Sequence, residues 1–314
     1  MKYRPIDLSG VTTYPLGERQ NKVTIAEHFA RPLSAGMSVA GLLASLPDQL
    51  GSQALLGVID AVVAARNKGK PVMLAMGAHV LKCGLQPVLK GLIEADVITA
   101  VALNGAGAIH DYELSLIGAT SEDVGAALHC GNFGMAEETG RDMNRALKEG
   151  VATGTGFGET VGRFIIANGN PYRDYSILAT CVAREIPVTV HVALGTDIIH
   201  QHPSADGGVI GEASFTDFRI FTSVVADLGD GGAYLNVGSA VLLPEVFLKA
   251  LSIAQNLGRH VDNFTTANFD MQQHYRPLQN VVRRPTSGRS TGYTITGHHE
   301  IMLPLLAAGI LDKL

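Results

Sequence analysis

Residues 97–116, VITAVALNGAGAIHDYELSL, place titratable side chains directly after an apolar run and two glycines. The glycine turn consists of Asn104, Gly105, Ala106 and Gly107. Glycines let a ligand approach the backbone, and the amides that open a following helix can hold an anion. Asp111 would then bond a ribose hydroxyl, and His110 would exchange protons near neutral pH. The pattern predicts a nucleotide site, with helix capping by Asp111 as the alternative.

A second group of chemistry-bearing residues lies in HVALGTDIIHQHPSADGG, residues 191–208. Asp197, His200, His202 and Asp206 crowd the end of one apolar run. Imidazoles two residues apart in an extended segment lie on one face, and imidazole with carboxylate can bind a metal. We favour a polar active-site loop without a metal over a metal centre.

Three further turns carry candidate residues. His79 and Lys82 follow the run 71–76 and could meet a phosphate or a carboxylate, although a solvated surface loop is as good an interpretation. The segment TTANFD, residues 265–270, and the segment TGHHEIMLPLL, residues 296–306, add His298 and neighbouring polar groups. No serine or cysteine nucleophile is indicated, since Gly238-Ser239-Ala240 is not a G-x-S-x-G elbow.

The elements that must position these groups are short apolar runs separated by segments with helical spacing. The runs cover residues 71–80, 97–107, 186–194 and 233–243. Continuous apolar runs suit strands buried on both faces. The alternation of strand and helix predicts an α/β fold, a Rossmann-like parallel sheet with helices on both faces. Ligands of such sheets bind outside the carboxyl ends of the strands.

The composition of the chain indicates its broad class of protein. The 314 residues are 46% hydrophobic, the formal net charge is −5, and no basic block is present. These values argue against nucleic-acid binding, and no apolar stretch predicts a membrane span. Three isolated cysteines and no signal-like N-terminus predict a cytoplasmic protein without disulfides. We expect a single domain over residues 1–314, on which residues 1–50 pack as an N-terminal extension.

The order of six segments resembles the deoxyhypusine synthase family. They are GAHVLKCGLQPVLKGLIEADVITAVALNGAGAIHDYE, IPVTVHVALGTDIIHQHP, DFRIF, LNVGSAV, TTANFD and GHHEIMLPLL. The resemblance implies an NAD-binding, Rossmann-like fold, assembly as a homotetramer, and transfer of an aminobutyl group from spermidine through an imine on a lysine. On this resemblance the cofactor residues are His79, Asn104, Gly105, Ala106, Gly107, Asp111, Gly238, Ser239, Thr266, Ala267, Asp270 and Gly297.

The chain departs from the family at the residues that carry the chemistry. Where the family has its imine-forming lysine, this chain has LQNVVRRPT after Arg276-Pro277, and arginine cannot replace a Schiff-base lysine. Tryptophan is absent, so the residue that stacks on the amine is missing. Lys82 is the one lysine found at a strand-end turn.

These observations predict an NAD-dependent transferase or oxidoreductase that acts on an amine-like small substrate, with true deoxyhypusine synthesis doubtful. The candidate catalytic residues are Lys82, His110, Asp197, His202 and His298. Two alternatives stay open. One is a metal-dependent hydrolase that uses His200, His202 and Asp206 with His298 or His299. The other is a non-catalytic nucleotide-binding protein.

Overall fold

The computed structural model describes residues 3–314 and contains one sheet of six parallel strands. The strands are β1 Val72–Met76, β2 Ala100–Asn104, β3 Val188–His191, β4 Ala233–Val237, β5 Thr265–Asp270 and β6 Thr291–Thr296. Their order across the sheet is β3-β2-β1-β4-β5-β6, and every neighbouring pair is parallel. The predicted α/β class and parallel sheet are confirmed.

Helices surround the sheet. They are α1 Ile25–His28, α2 Val39–Ser45, α3 Leu50–Asn67, α4 His79–Lys82, α5 Gln86–Glu94, α6 Gly105–Ile117, α7 Val124–Leu128, α8 Glu137–Ala152, α9 Phe157–Ala167, α10 Ile177–Ala183, α11 Gly207–Val225, α12 Leu242–Asn256, α13 Tyr275–Pro277 and α14 His299–Leu311. A π-helical turn, Leu278–Arg283, follows α13. None of these helices is long and apolar enough to cross a membrane.

The core forms two layers because successive strand side chains point to opposite faces. On one face, Leu74 and Leu103 pack with residues of α3, α6 and α9. On the other face, Met73 and Ala102 pack with residues of α11 and α12. Central strands covered on both faces explain why β1 and β4 are buried at every position.

The edges of the sheet differ. At the β3 edge, the side chain of Asp217 on α11 accepts hydrogen bonds from the amides of Val190 and Gly158, so the outermost strand is covered by a helix. At the other edge, β6 is largely polar and only partly buried. The polar composition of β6 hides this strand from a search for apolar runs.

The N-terminal segment differs from expectation. Residues 3–36 are exposed throughout, apart from the half-buried His28. Packing of the N-terminal part against the sheet domain starts at α2, where Leu43 and Ser45 are buried. The expected extension over residues 1–50 therefore packs only in its later part, and residues 1 and 2 lie outside the described range.

Candidate functional site

The carboxyl ends of β1 and β4 form the topological switch point of the sheet, because the chain continues from them in opposite directions. The Gly77 amide donates to the Val237 carbonyl at 2.9 Å. A Cβ on Gly77 would lie 2.3 Å from the Gly238 oxygen, and Gly238 itself has φ +66°. The two strand ends therefore meet backbone to backbone, which only glycine permits.

A buried imidazole stands beside this meeting point. His299, the first residue of α14, is 4% exposed, and its Nε2 lies 2.7 Å from where a Cβ on Gly238 would be. Its Nδ1 is buried and has no hydrogen-bond partner among the described residues. The His79 ring lies across from it, with ring centroids 6.1 Å apart.

The electrostatics keep His299 neutral. Burial lowers its pKa, with the neighbouring Asp270 carboxylate opposing the shift and His79 adding to it. Burying an imidazole with one unpartnered nitrogen has a cost that a bound polar group would offset. We call His79, Gly238, Asp270 and His299 the switch-point cluster.

Several predicted residues are found near this cluster. Ser239 follows Gly238 and accepts a hydrogen bond from the Leu243 amide, so it serves the start of α12. The Gly297 amide donates to the Asp270 carbonyl. The predicted His298 is instead 60% exposed, and its Nδ1 lies 3.9 Å from Glu300 Oε1. The buried member of the pair is His299, which sequence reasoning placed only in the metal alternative.

The start of α6 is already filled by the chain's own groups. Asn104 accepts a hydrogen bond from the Gly107 amide at 3.0 Å, and the Asp197 carboxylate accepts one from the Ala106 amide. A Cβ on Gly105 would lie 2.1 Å from Asp197 Oδ2. Gly105 makes room for a carboxylate of the protein, and the binding of a nucleotide at this turn stays a prediction.

Asp197 and His200 form a closed capping arrangement at the end of β3. His200 Nδ1 accepts hydrogen bonds from the amides of Gly195 and Asp197, which places the ring proton on Nε2. That Nε2 is buried and unpartnered among the described residues, 4.0 Å from Asp197 Oδ2. Burial raises the pKa of Asp197, opposed by His200 and by the Ala106 amide.

Asp111 faces away from the strand ends. It is fully buried and accepts hydrogen bonds from the Ser176 hydroxyl and from the amides of Ile177 and Leu178, at the start of α10. Burial raises its pKa to about 6 against those hydrogen bonds. The carboxylate caps a helix, as the alternative interpretation held, but a different helix from its own. It is not free to bond a ribose.

His110 and Lys82 lie near each other beside α4. His110 Nδ1 is 2.6 Å from the Thr120 hydroxyl and 4.0 Å from Glu113 Oε2. Burial lowers the pKa of His110, and the charge of Lys82 lowers it further. Lys82 is exposed. His110 is therefore a neutral, half-buried imidazole at the rim of this edge.

Three other predicted residues lie elsewhere. His202 bonds Ser204, lies 3.5 Å from Glu137 and packs on α8, so it does not reach the strand ends. Thr266 and Ala267 occupy the first half of β5, where the Thr266 hydroxyl donates to the Val281 carbonyl. Both are core positions rather than cofactor contacts.

Two features of this edge escaped sequence reasoning. Asn236 and Asn268 pair across β4 and β5 at 2.7 Å, and Asn236 also donates to the Ser239 carbonyl, which fixes the turn beyond β4. The available signal was Asn236, an asparagine inside the apolar run 233–243. Cys83 Sγ lies 3.4 Å from His79 Nε2, but burial and the Glu300 charge raise the pKa of that thiol, which disfavours a nucleophile.

The switch-point cluster contains polar groups that could bond a ligand. The one-turn helix α4 adds little to them, because the Val80 and Leu81 amides donate to the Gly77 and Ala78 carbonyls. His299 supplies an unpartnered buried nitrogen, and Asp270 a carboxylate. By contrast, within residues 3–314 no three His, Cys, Asp or Glu side chains are arranged to hold a metal ion.

Comparison with protein-family models and with curated protein sequences gave no match. Solved structures do match. A conserved LOR/SDH protein of Methanococcus maripaludis S2 superposes with TM-score 0.51 and 14% identity, over 89% of this chain and 72% of its own. A protein of Entamoeba histolytica assigned as a deoxyhypusine synthase gives TM-score 0.50 and 12% identity, over 88% and 94%.

This chain has the deoxyhypusine synthase-like fold. The ternary complex of AgrE with ornithine and NAD+ matches as well, with TM-score 0.52 and 15% identity over 86% of this chain. The match covers 34% of AgrE, so the present chain spans about a third of that protein's length. The deoxyhypusine synthase-like fold thus recurs in proteins of different size.

Proposed function

We propose that this protein is an NAD-dependent enzyme, a transferase or an oxidoreductase, that acts on an amine-like small substrate at the switch-point cluster. The observation that carries the proposal is His299, a buried imidazole with an unpartnered nitrogen at the topological switch point. Dinucleotides bind sheets of this kind at that point. The AgrE complex, which contains NAD+ and ornithine, supports the cofactor and the amine character of the substrate.

The residues of the switch-point cluster would have the following roles. Asp270 would accept hydrogen bonds from ribose hydroxyls. The unpartnered Nδ1 of His299 would form a hydrogen bond with the bound ligand. His79, across the crevice, would exchange a proton with the substrate amine. NAD, when bound, supplies a hydride acceptor.

Calorimetric titration with NAD tests the cofactor assignment. We expect binding by the wild type and an affinity at least tenfold lower in His299→Ala, because the ligand loses a desolvated hydrogen-bond partner. The matched control is His298→Ala, since this exposed neighbour should leave the affinity unchanged. Circular dichroism melting of both variants separates a binding defect from a folding defect. Absence of binding to the wild type at millimolar NAD would refute the proposal.

A second prediction concerns whether a lysine forms an imine with the substrate. Lys82 ends α4, three residues after His79 of the switch-point cluster; it is exposed, whereas a Schiff-base lysine is usually desolvated. We therefore expect the chemistry to proceed without a lysine adduct. Borohydride treatment in the presence of NAD and spermidine, followed by peptide mass spectrometry, should leave Lys82 unmodified. A trapped adduct that disappears in Lys82→Arg would contradict this expectation.

The open alternatives separate in the same experiments. A nucleotide-binding protein without activity would bind NAD but never reduce it with any amine tested. The metal-hydrolase alternative has lost its support, because His202 bonds Ser204 and faces α8. Homotetramer assembly is a proposal that rests on the family resemblance, and a cytoplasmic location is one that rests on the three isolated cysteines and the N-terminal sequence.

A further inference from the structure

A cavity of about 650 Å³ opens where α9, α10 and α11 converge on the edge strand β3. Residues 186–188, which lead into this strand, form part of its wall. Cavities that bind small molecules measure roughly 300–1,000 Å³. The switch-point cluster lies at the carboxyl ends of the strands, whereas this cavity lies at the amino end of β3. The two are therefore separate sites.

The wall of the cavity is mostly aliphatic. It is formed by Ala167 and by the larger apolar side chains Ile166, Val182, Ile186, Pro187, Val188 and Ile220. Its polar side chains are all charged: Glu159, Arg163 and Glu185. An apolar wall with a few charged groups is typical of sites for small organic ligands. Burial of an apolar ligand body against this wall would supply most of the binding free energy.

The charges of the cavity favour a cation. Arg163 on α9 is already paired with Glu159, whose Oε1 lies 2.5 Å from its Nη2. Glu185 has no ion-pair partner within residues 3–314, and its neighbour Arg184 pairs instead with Asp96 at 2.7 Å. Two carboxylates and one guanidinium leave one negative charge, which a positively charged ligand would complement.

The backbone at Glu185 gives a second, independent reason to assign this side chain a role. Glu185 has φ +56°, in the left-handed region. It ends α10: its amide donates to the Val182 carbonyl, and the Ile186 amide donates to the Cys181 carbonyl. Glycine is the residue that favours this position after a helix. Folding alone would thus select glycine here, whereas the chain has a carboxylate that lines the cavity.

We propose that this cavity binds a small organic cation, an ammonium group carried by an apolar body. The body packs against the aliphatic wall, and the ammonium group donates hydrogen bonds to the Glu185 carboxylate. Parallel sheets carry out their chemistry at the carboxyl ends of the strands, so this is a binding site and not a second catalytic site. The proposal is independent of the cofactor proposal.

Fluorescence anisotropy of three indole ligands tests the proposal. Tryptamine, L-tryptophan and indole-3-propionate share one apolar body and carry a cation, a zwitterion and an anion. The chain contains no tryptophan, so the indole emission comes from the ligand alone. We expect tryptamine to bind at least tenfold more tightly than indole-3-propionate, with tryptophan between them, because the cavity has one excess negative charge.

Two variants locate the ligand. Glu185→Gly should weaken tryptamine binding at least threefold, a modest loss because Glu185 is exposed, without lowering the melting temperature, since glycine suits φ +56°. Ala167→Phe, at an exposed position of the wall, should weaken all three ligands by filling part of the cavity. The matched control is Asp230→Gly, which removes a carboxylate at φ +62° outside the cavity and should leave the affinity unchanged.

Each contrary outcome overturns the proposal. Absence of binding at millimolar tryptamine would show that the cavity takes no such cation, and tighter binding of indole-3-propionate would reverse the charge assignment. Tryptamine binding that persists in both cavity variants but is lost in His299→Ala would place the amine at the switch-point cluster. Loss of self-association in Ala167→Phe, measured by analytical ultracentrifugation without ligand, would show that a second copy of the chain covers the cavity.

Discussion

Two buried carboxylates support the architecture of the helices and strands without taking part in the proposed chemistry. Asp111 holds the start of α10. Asp217 receives the amides of Val190 and Gly158, and so joins α11 to the edge strand β3 and to the start of α9. Burial raises the pKa of Asp217 to about 7, opposed by those amides and reinforced by the charge of Glu159. Desolvation therefore outweighs hydrogen bonding at this carboxyl.

The pKa of Asp217 predicts a pH-dependent stability. The unfolded carboxyl ionises near pH 4, but the folded one holds its proton to about pH 7, so its contribution to the free energy of unfolding falls as pH rises through that window. Relative to the wild type, Asp217→Asn should become more stable between pH 4 and pH 7, by at most about 1.4 kcal/mol per pH unit. Urea unfolding at several pH values measures this difference.

The comparison between variants matters because other groups titrate as well. The fully buried His191 has a pKa lowered by burial to about 3, and its contribution to stability rises with pH up to about 6.5. Asp60→Asn, at an exposed carboxylate paired with Lys313, is the control for removal of a surface carboxylate. A constant difference between Asp217→Asn and the wild type would show that this carboxyl does not titrate in the window.

At the scale of the elements, the site depends on how closely the ends of β1 and β4 approach. Gly77 and Gly238 allow the two backbones to touch, and the paired Asn236 and Asn268 fix the turn that follows β4. His299 enters from α14, which follows the edge strand β6. The cluster is thus assembled from strand ends far apart in sequence.

Gly77→Ala should disrupt this approach. Its Cβ would lie 2.3 Å from the Gly238 oxygen, a backbone atom that cannot move without shifting β4, so we expect a loss of about 3 kcal/mol in the free energy of unfolding. Gly91→Ala is the control, since Gly91 lies in α5 with nothing within 4 Å of the added Cβ; it should stabilise by up to about 1 kcal/mol. Urea unfolding that gives equal values for the two variants would disprove the close approach.

At the scale of the whole molecule, the chain consists of a domain with two packed layers and an N-terminal segment, residues 3–36, whose side chains are exposed apart from the half-buried His28. The two core layers cover both faces of the sheet. The burial of apolar side chains that stabilises this fold is therefore concentrated in the sheet domain.

The sequence by itself determined the α/β class and four of the six strands. It could do so because buried parallel strands need continuous apolar runs, which are local and visible. It missed β5 and β6, which do not lie in such runs.

Only the tertiary structure decided which polar residues face one another. Asp111 and Asp197 both looked like ligand groups, yet each caps a helix: Asp111 caps α10, and Asp197 caps α6. His298 and His299 are neighbours in sequence, but one is in solvent and the other is buried against Gly238. The reason is physical: the partner of a buried polar group is chosen by the packing of distant segments, which local sequence does not encode.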